Sequence, residues 1–206
     1  MARVTADKVQ ETKTKLLEAA KQTLLMQGYA GLSTRAVASE ASVPMSQIQY
    51  HFGSKQGMVL ALFEHLNAEL IERQNILFSN PELTLSEKWV LACDFLDDDL
   101  ASGYVRTLHE LWTAGFSDTE IGKVVREGVM VWQALLTRLA TQSQERFGKL
   151  GPFDPDDVAA LVGSAFIGAE AFLLLGLDDQ TFPVRRSLRR LGHAIEVLEG
   201  QKSGGE

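Results

Sequence analysis

The chain has 206 residues, 45% of them apolar, which is enough for a packed core in one large or two small domains and excludes a disordered or fibrous chain. Its formal charge of −7 argues at first against a nucleic-acid partner, so the distribution of charge matters more than the total. The single cysteine, Cys93, excludes an intrachain disulfide framework, fits a reducing compartment and reads as ordinary packing.

Caps and breakers predict an all-α chain of about nine helices, near residues 8–27, 34–41, 45–52, 55–78, 84–101, 104–116, 118–147, 155–176 and 184–199. The N-terminus, MARVTADKVQETKTK, is polar where a secretory leader needs an apolar stretch, so a cytoplasmic location is expected. Gly28 and Gly31 bracket Tyr29 after the first helix.

Residues 32–55, LSTRAVASEASVPMSQIQYHFGSK, then read as two short helices and a tight turn. Ser33 or Thr34 can cap the first of these, whose apolar side is Val37, Ala38 and Ala41. Ser42-Val43-Pro44 breaks it, and Pro44, with φ preset and no N–H to offer, suits the first turn of the next. At 100° per residue Ile48 and Phe52 form an inward stripe, Ser46 and Tyr50 point away, and Gln47 and Gln49 flank them. Such a face has the inventory for reading base edges, because an amide side chain can bond adenine bidentately.

The string Ser33-Thr34-Arg35, followed by residues 43–55, VPMSQIQYHFGSK, resembles the helix-turn-helix of the tetracycline-repressor (TetR) family of bacterial transcription regulators. The resemblance is strong over residues 10–65 and at the level of fold beyond them, with His51-Phe52-Gly53-Ser54-Lys55 its most specific part. Pro44 and Ser46 depart from the family pattern, in which a Ser or Thr cap and a Gly or Pro are common there. The resemblance implies a three-helix DNA-binding domain over 1–54 and a helical ligand-binding and dimerisation domain over 55–206. It assigns Thr34 and Arg35 to phosphates and a groove edge, Met45, Ser46, Gln47, Gln49 and Tyr50 to bases or the thymine methyl group, and His51 and Lys55 to phosphate. The charge distribution agrees: through residue 55 seven basic residues face four acidic ones, a balance of +3, and the remainder carries −10.

Further along, Thr84-Leu85-Ser86-Glu87 and Ser117-Asp118-Thr119-Glu120 read as capping boxes, and Asp154-Pro155-Asp156-Asp157 as a capped helix start. Residues 158–177 are long and apolar enough for a membrane span, but aspartates stand on both sides where basic anchors belong, so no membrane partner is expected. A helix apolar all round must be buried all round, which one small subunit can hardly arrange. A homodimer through the eighth and ninth helices is therefore expected, using Val162, Ala165, Ala169, Phe172, Leu188, Leu191 and Ile195, an arrangement the family resemblance also implies. A segment at 203–206, SGGE, is expected to be disordered.

Two such heads would enter successive major grooves of a double-stranded operator with palindromic half-sites. The resemblance further implies a small-molecule effector that releases DNA, with the fourth helix as the mechanical link. The aromatic supply of Phe95, Tyr104, Leu108, Trp112, Phe116, Trp132 and Phe166, with Glu170 as a polar anchor, suits a lipophilic or aromatic molecule. Glu170 could instead pair with Arg186, Arg189 or Arg190 across the dimer. No catalytic residue, cofactor or metal is expected: His65, His109 and His193 are dispersed, and Asp97-Asp98-Asp99 reads as a solvated helix end. An all-helical soluble enzyme and a constitutive helical interaction module are the alternatives.

Overall fold

The computed structural model describes residues 2–148 and 151–203, and every regular element among them is helical. In chain order these are α1 (Ala2–Gly31), α2 (Thr34–Glu40), α3 (Ser46–Phe52), α4 (Lys55–Ser79), α5 (Leu85–Ala101), α6 (Tyr104–Gly115), α7 (Thr119–Phe147), α8 (Pro155–Leu174) and α9 (Val184–Ser203). The all-α expectation and its element order hold. Boundaries shift: α1 starts well before residue 8, α3 starts one residue late, and α9 runs on to Ser203, while 204–206 of the expected disordered tail lie outside the described residues.

Packing sorts the chain into two units that interleave in sequence, Met1–Glu69 with Arg106–Gly128, and Leu70–Val105 with Val129–Glu206. A single cut at 54/55 does not describe this. Helices of 25 and 29 residues, α4 and α7, run roughly 40 Å, longer than a small packed layer, so each gives residues to both units.

In the first unit α1 buries Leu16, Leu17, Ala20 and Leu24, α2 buries Val37 and Ala38, α3 buries Ile48, and α4 buries Met58, Val59, Leu62, Phe63 and Leu66. Each set recurs at helical spacing, and α1 packs on α2 and α2 on α3. Gly28, at φ 67° and ψ 177°, a conformation essentially reserved for glycine, kinks α1 just where the sequence places its end. The kink frees the Tyr29 N–H, which donates to Glu110 Oε2 on α6 at 3.2 Å.

In the second unit α5 lies antiparallel to α9. Trp89 Nε1 donates to the Leu188 carbonyl at 2.6 Å near the middle of the pair, and Glu199 near the end of α9 accepts from the Leu85 and Ser86 N–H groups at the start of α5. The core holds Cys93, Leu96, Val105, Ala169 and Leu188, flanked by Trp89, Phe166 and Leu173. Two expectations change here. Ala169 and Leu188 belong to this internal core and are not available to a second subunit, because the α5–α9 pairing takes that side of α9. Asp97 and Asp99 are not a solvated end: Asp99 pairs with Arg73, and Asp97 with Arg185 at 2.6 Å and Arg189 at 2.8 Å. Arg189 also pairs with Asp94 at 2.7 Å, so it is engaged within its own chain.

Thr84 and Asp154 form their capping boxes, Pro155 opening α8 as the sequence suggests. At α7 the cap is Asp118 rather than Ser117, its carboxylate accepting from the Glu120 and Ile121 N–H groups at 3.0 Å each. By length and mean hydropathy, 1.7, α8 could cross a membrane, yet Asp154, Asp156 and Asp157 precede it and Asp178 and Asp179 follow. Within the chain only Ala159, Gly163 and Ala169 of this helix are buried.

Candidate nucleic-acid interface

Local geometry explains why residues 32–55 hold two short helices at a fixed angle. Ser33 caps α2, its hydroxyl accepting from the Ala36 N–H at 3.2 Å. The helix ends in a Schellman turn: the Val43 N–H reaches the Ala38 carbonyl and the Ser42 N–H the Ser39 carbonyl, with Ser42 in the left-handed region at φ 53°. The Gln47 and Ile48 N–H groups then bond the carbonyls of Pro44 and Met45, so Pro44 precedes α3 rather than lying in its first turn. Gly53, at φ 72°, ends α3, and Ser54 caps α4 through the Gly57 N–H at 3.0 Å.

Gly57 leaves no room for a side chain. A Cβ there would stand 2.1 Å from the Phe52 carbonyl oxygen, so the start of α4 touches the end of α3 backbone to backbone. From sequence alone Gly57 looks like an ordinary helix-interior glycine.

On α3, Ile48 is buried, Phe52 half-buried, and the remaining side is open. Met45 (57% exposed), Ser46, Gln49 and Tyr50 (69% exposed) face solvent, and Gln47 is half-buried. Arg35 is exposed on α2, and Thr34, half-buried, directs its hydroxyl at Met45 Sδ, 4.0 Å away, joining the two helix starts. Lys55 is exposed with its ammonium 5.2 Å from the Tyr29 ring centre, a cation–π placement that steadies a long side chain. His51 is half-buried, edge-on to Tyr50 at 4.9 Å, and burial, with a smaller push from Lys13, holds its pKa below the usual 6.5. Neutral imidazole therefore offers this surface an N–H and no charge at pH 7. Lys13, Tyr29, Glu110 and Gly57 are the residues sequence reasoning missed. Lys13 and Tyr29 carried a signal, as a cation and an aromatic inside the family-like stretch.

The expected effector residues divide between the units. In the first, Leu108 is buried, Trp112 is half-buried and stacked on His109 at 5.6 Å with its indole N–H buried and lacking an acceptor among the described residues, and Phe116 is 86% exposed. In the second, Phe95 lies under the Arg73 guanidinium at 4.5 Å, Tyr104 is buried, Trp132 Nε1 donates to Gln74 at 2.8 Å, and Phe166 meets Trp89 edge-on at 5.5 Å. Glu170 is half-buried and already engaged in an interaction. Cys93 is buried with its pKa pushed up to about 11, chiefly by burial, which keeps the thiol protonated. Among the described residues no group of three His, Cys, Asp or Glu side chains is placed to hold a metal ion.

Residues 16–62, from the middle of α1 through the first two turns of α4, match the family described as bacterial regulatory proteins, tetR family. That segment of the chain is of the TetR family. Its members are transcription regulators rather than enzymes. Among relatives, this chain is 33% identical over 103 residues to the HTH-type transcriptional regulator CymR of Pseudomonas putida, a match covering 48% of the chain and 51% of CymR. The chain thus spans about half the length of that relative. A transcriptional regulator structure from Pseudomonas aeruginosa PAO1, described as putative, superposes with a TM-score of 0.73 at 23% identity, over 95% of this chain and 92% of that one. A regulator from Saccharomonospora viridis, described in the same way and solved in complex with choline, gives a TM-score of 0.73 at 18% identity, over 90% and 95%. These structural likenesses show that the same helical fold runs through at least 90% of the chain.

Proposed function

We propose that this chain is a ligand-responsive transcription regulator that acts in the cytoplasm, binds a palindromic operator as a homodimer, represses, and is released by a small lipophilic or aromatic effector. The observation that carries DNA binding is the open side of α3, where Ser46, Gln49 and Tyr50 are exposed on a helix anchored by Ile48 and braced by Gly57. Arg35 and Lys55 stand at its margins for phosphate, with Thr34, Gln47 and His51 as supporting donors. A mobility shift with DNA upstream of the chain's own gene, followed by selection of bound duplexes from a random pool, tests this. Recovery of symmetric half-sites is the expected result, and pools with no enriched sequence would overturn it.

Support for the dimer is the bare apolar side of α8 and α9, where Leu161, Ala165, Phe172 and Leu191 are exposed and Val162 and Ile195 half-buried. Several large apolar side chains left exposed on two neighbouring helices are what an association face presents. Support for an effector is chemical. A buried indole N–H without an acceptor costs about 1–3 kcal/mol, and a ligand carbonyl or carboxylate at Trp112 would recover that cost. The choline-bound neighbour illustrates that this fold can house a small organic molecule.

A further inference from the structure

Helix α9 has three unlike sides. Leu188, Gly192 and Glu199 turn to α5, where a Cβ on Gly192 would meet Trp89 and Val90, and Leu191 and Leu198 form an exposed apolar side. The third side belongs to neither. Arg186, Arg190 and His193 fall together there at 100° per residue, and with Arg185, Arg189 and Asp179 they line an open cavity of about 410 Å³. We infer that this cavity is a binding site for a small phosphoryl-bearing polyanion, a diphosphate or an ester with two phosphoryl groups.

The lining sets four guanidinium groups against one carboxylate, and the aspartates behind it, Asp94 and Asp97, offset two of them. Two of them are pinned from behind: Arg185 by Asp97, and Arg189 by Asp94 and Asp97, which fixes their direction before any ligand arrives. The other two are unspent, since among the described residues the guanidinium groups of Arg186 and Arg190 have no carboxylate partner. The acid in the lining, Asp179, is turned to the backbone, accepting from the Arg186 N–H at 3.1 Å. His193 adds a ring beside Glu196 at 3.4 Å. The planar guanidinium fork matches phosphate oxygens two at a time, which favours a phosphoryl group over a spherical anion. Arg186 and Arg190 are exposed, and single exposed ion pairs contribute little, so a singly charged ion would not be retained. A ligand must span several forks at once, and the cavity is within the usual size for small molecules.

The test is calorimetric titration of the full chain with inorganic pyrophosphate at constant ionic strength, beside the R186A/R190A variant, whose α5–α9 ion pairs are untouched. Saturable binding by the unaltered chain, weakened at least about tenfold in the variant with melting temperature retained, is expected. No saturable heat up to about 10 mM pyrophosphate would overturn the proposal. So would equal affinity in the variant, or binding of hexaglutamate in preference to pyrophosphate, which would make the surface a dock for an acidic peptide. DNA binding enters none of these readouts, so the outcome is independent of the operator-binding reading.

Discussion

At the scale of single residues, the candidate interface separates side chains that would read from side chains that would hold. Gln49 is exposed on the open side of α3, so Gln49→Ala should cost about 1–3 kcal/mol on the selected operator and little on random duplex. Lys55→Ala should weaken both alike and lower the salt dependence. Competition binding at two salt concentrations distinguishes the two patterns. His51 supplies a different test. Its folded pKa lies below 6.5 because of burial and then Lys13, so as pH falls the unfolded chain takes up the proton first. Stability should therefore fall as pH drops below 6.5, and His51→Gln should flatten that dependence in melts between pH 5.5 and 7.5. The outward residues were legible from periodicity alone, since Ser46 and Tyr50 had to oppose Ile48. The state of His51 was not, because Lys13 reaches it from a helix thirty-eight positions back in the chain.

At the scale of elements, the angle between α3 and α4 rests on a contact without side chains. Gly57→Ala places a carbon against the Phe52 carbonyl oxygen and should destabilise the chain by roughly 1–3 kcal/mol, read as a lower melting temperature together with loss of operator affinity. The α5–α9 pair rests on the opposite device, a carboxylate borrowed from afar. Burial raises the Glu199 pKa, but hydrogen bonds from the Ser86 side chain and the Leu85 and Ser86 amides outweigh it, and the net shift is downward. Glu199→Gln should cost about 1 kcal/mol above the unfolded carboxylate pKa, and the difference from the unaltered chain should vanish as acid protonates the native group. Local caps such as Thr84 and Asp154 could be read from four consecutive letters. Glu199 and the Glu110 partner of the α1 kink could not, because their acceptors and donors lie 113 and 81 residues apart. The same limit made Asp97 and Asp99 look solvated, when their arginines come from α9 and α4.

At the scale of the whole molecule, all-helical architecture followed from caps and breakers, whereas the interleaved units did not, since sequence order hides which halves of long helices pack together. Light scattering should report twice the 22.7 kDa chain mass, and Leu161→Glu with Leu191→Glu should return the single-chain mass. These leucines are exposed at 57% and 47%, so the double variant should fold and keep its melting transition. If an effector acts as proposed, its affinity must fall in the presence of operator by the same factor as operator affinity falls in its presence.

The bare side of α3 also bears on how such a protein could be redirected. On that helix Ile48 is buried and Phe52 half-buried, and the turn before it, the cap after it and the glycine beneath it are all fixed by backbone geometry. A combinatorial library randomised at Met45, Ser46, Gln49 and Tyr50 would thus alter preference while leaving the scaffold's thermal tolerance nearly constant, and new targets could be screened without compensating repairs elsewhere.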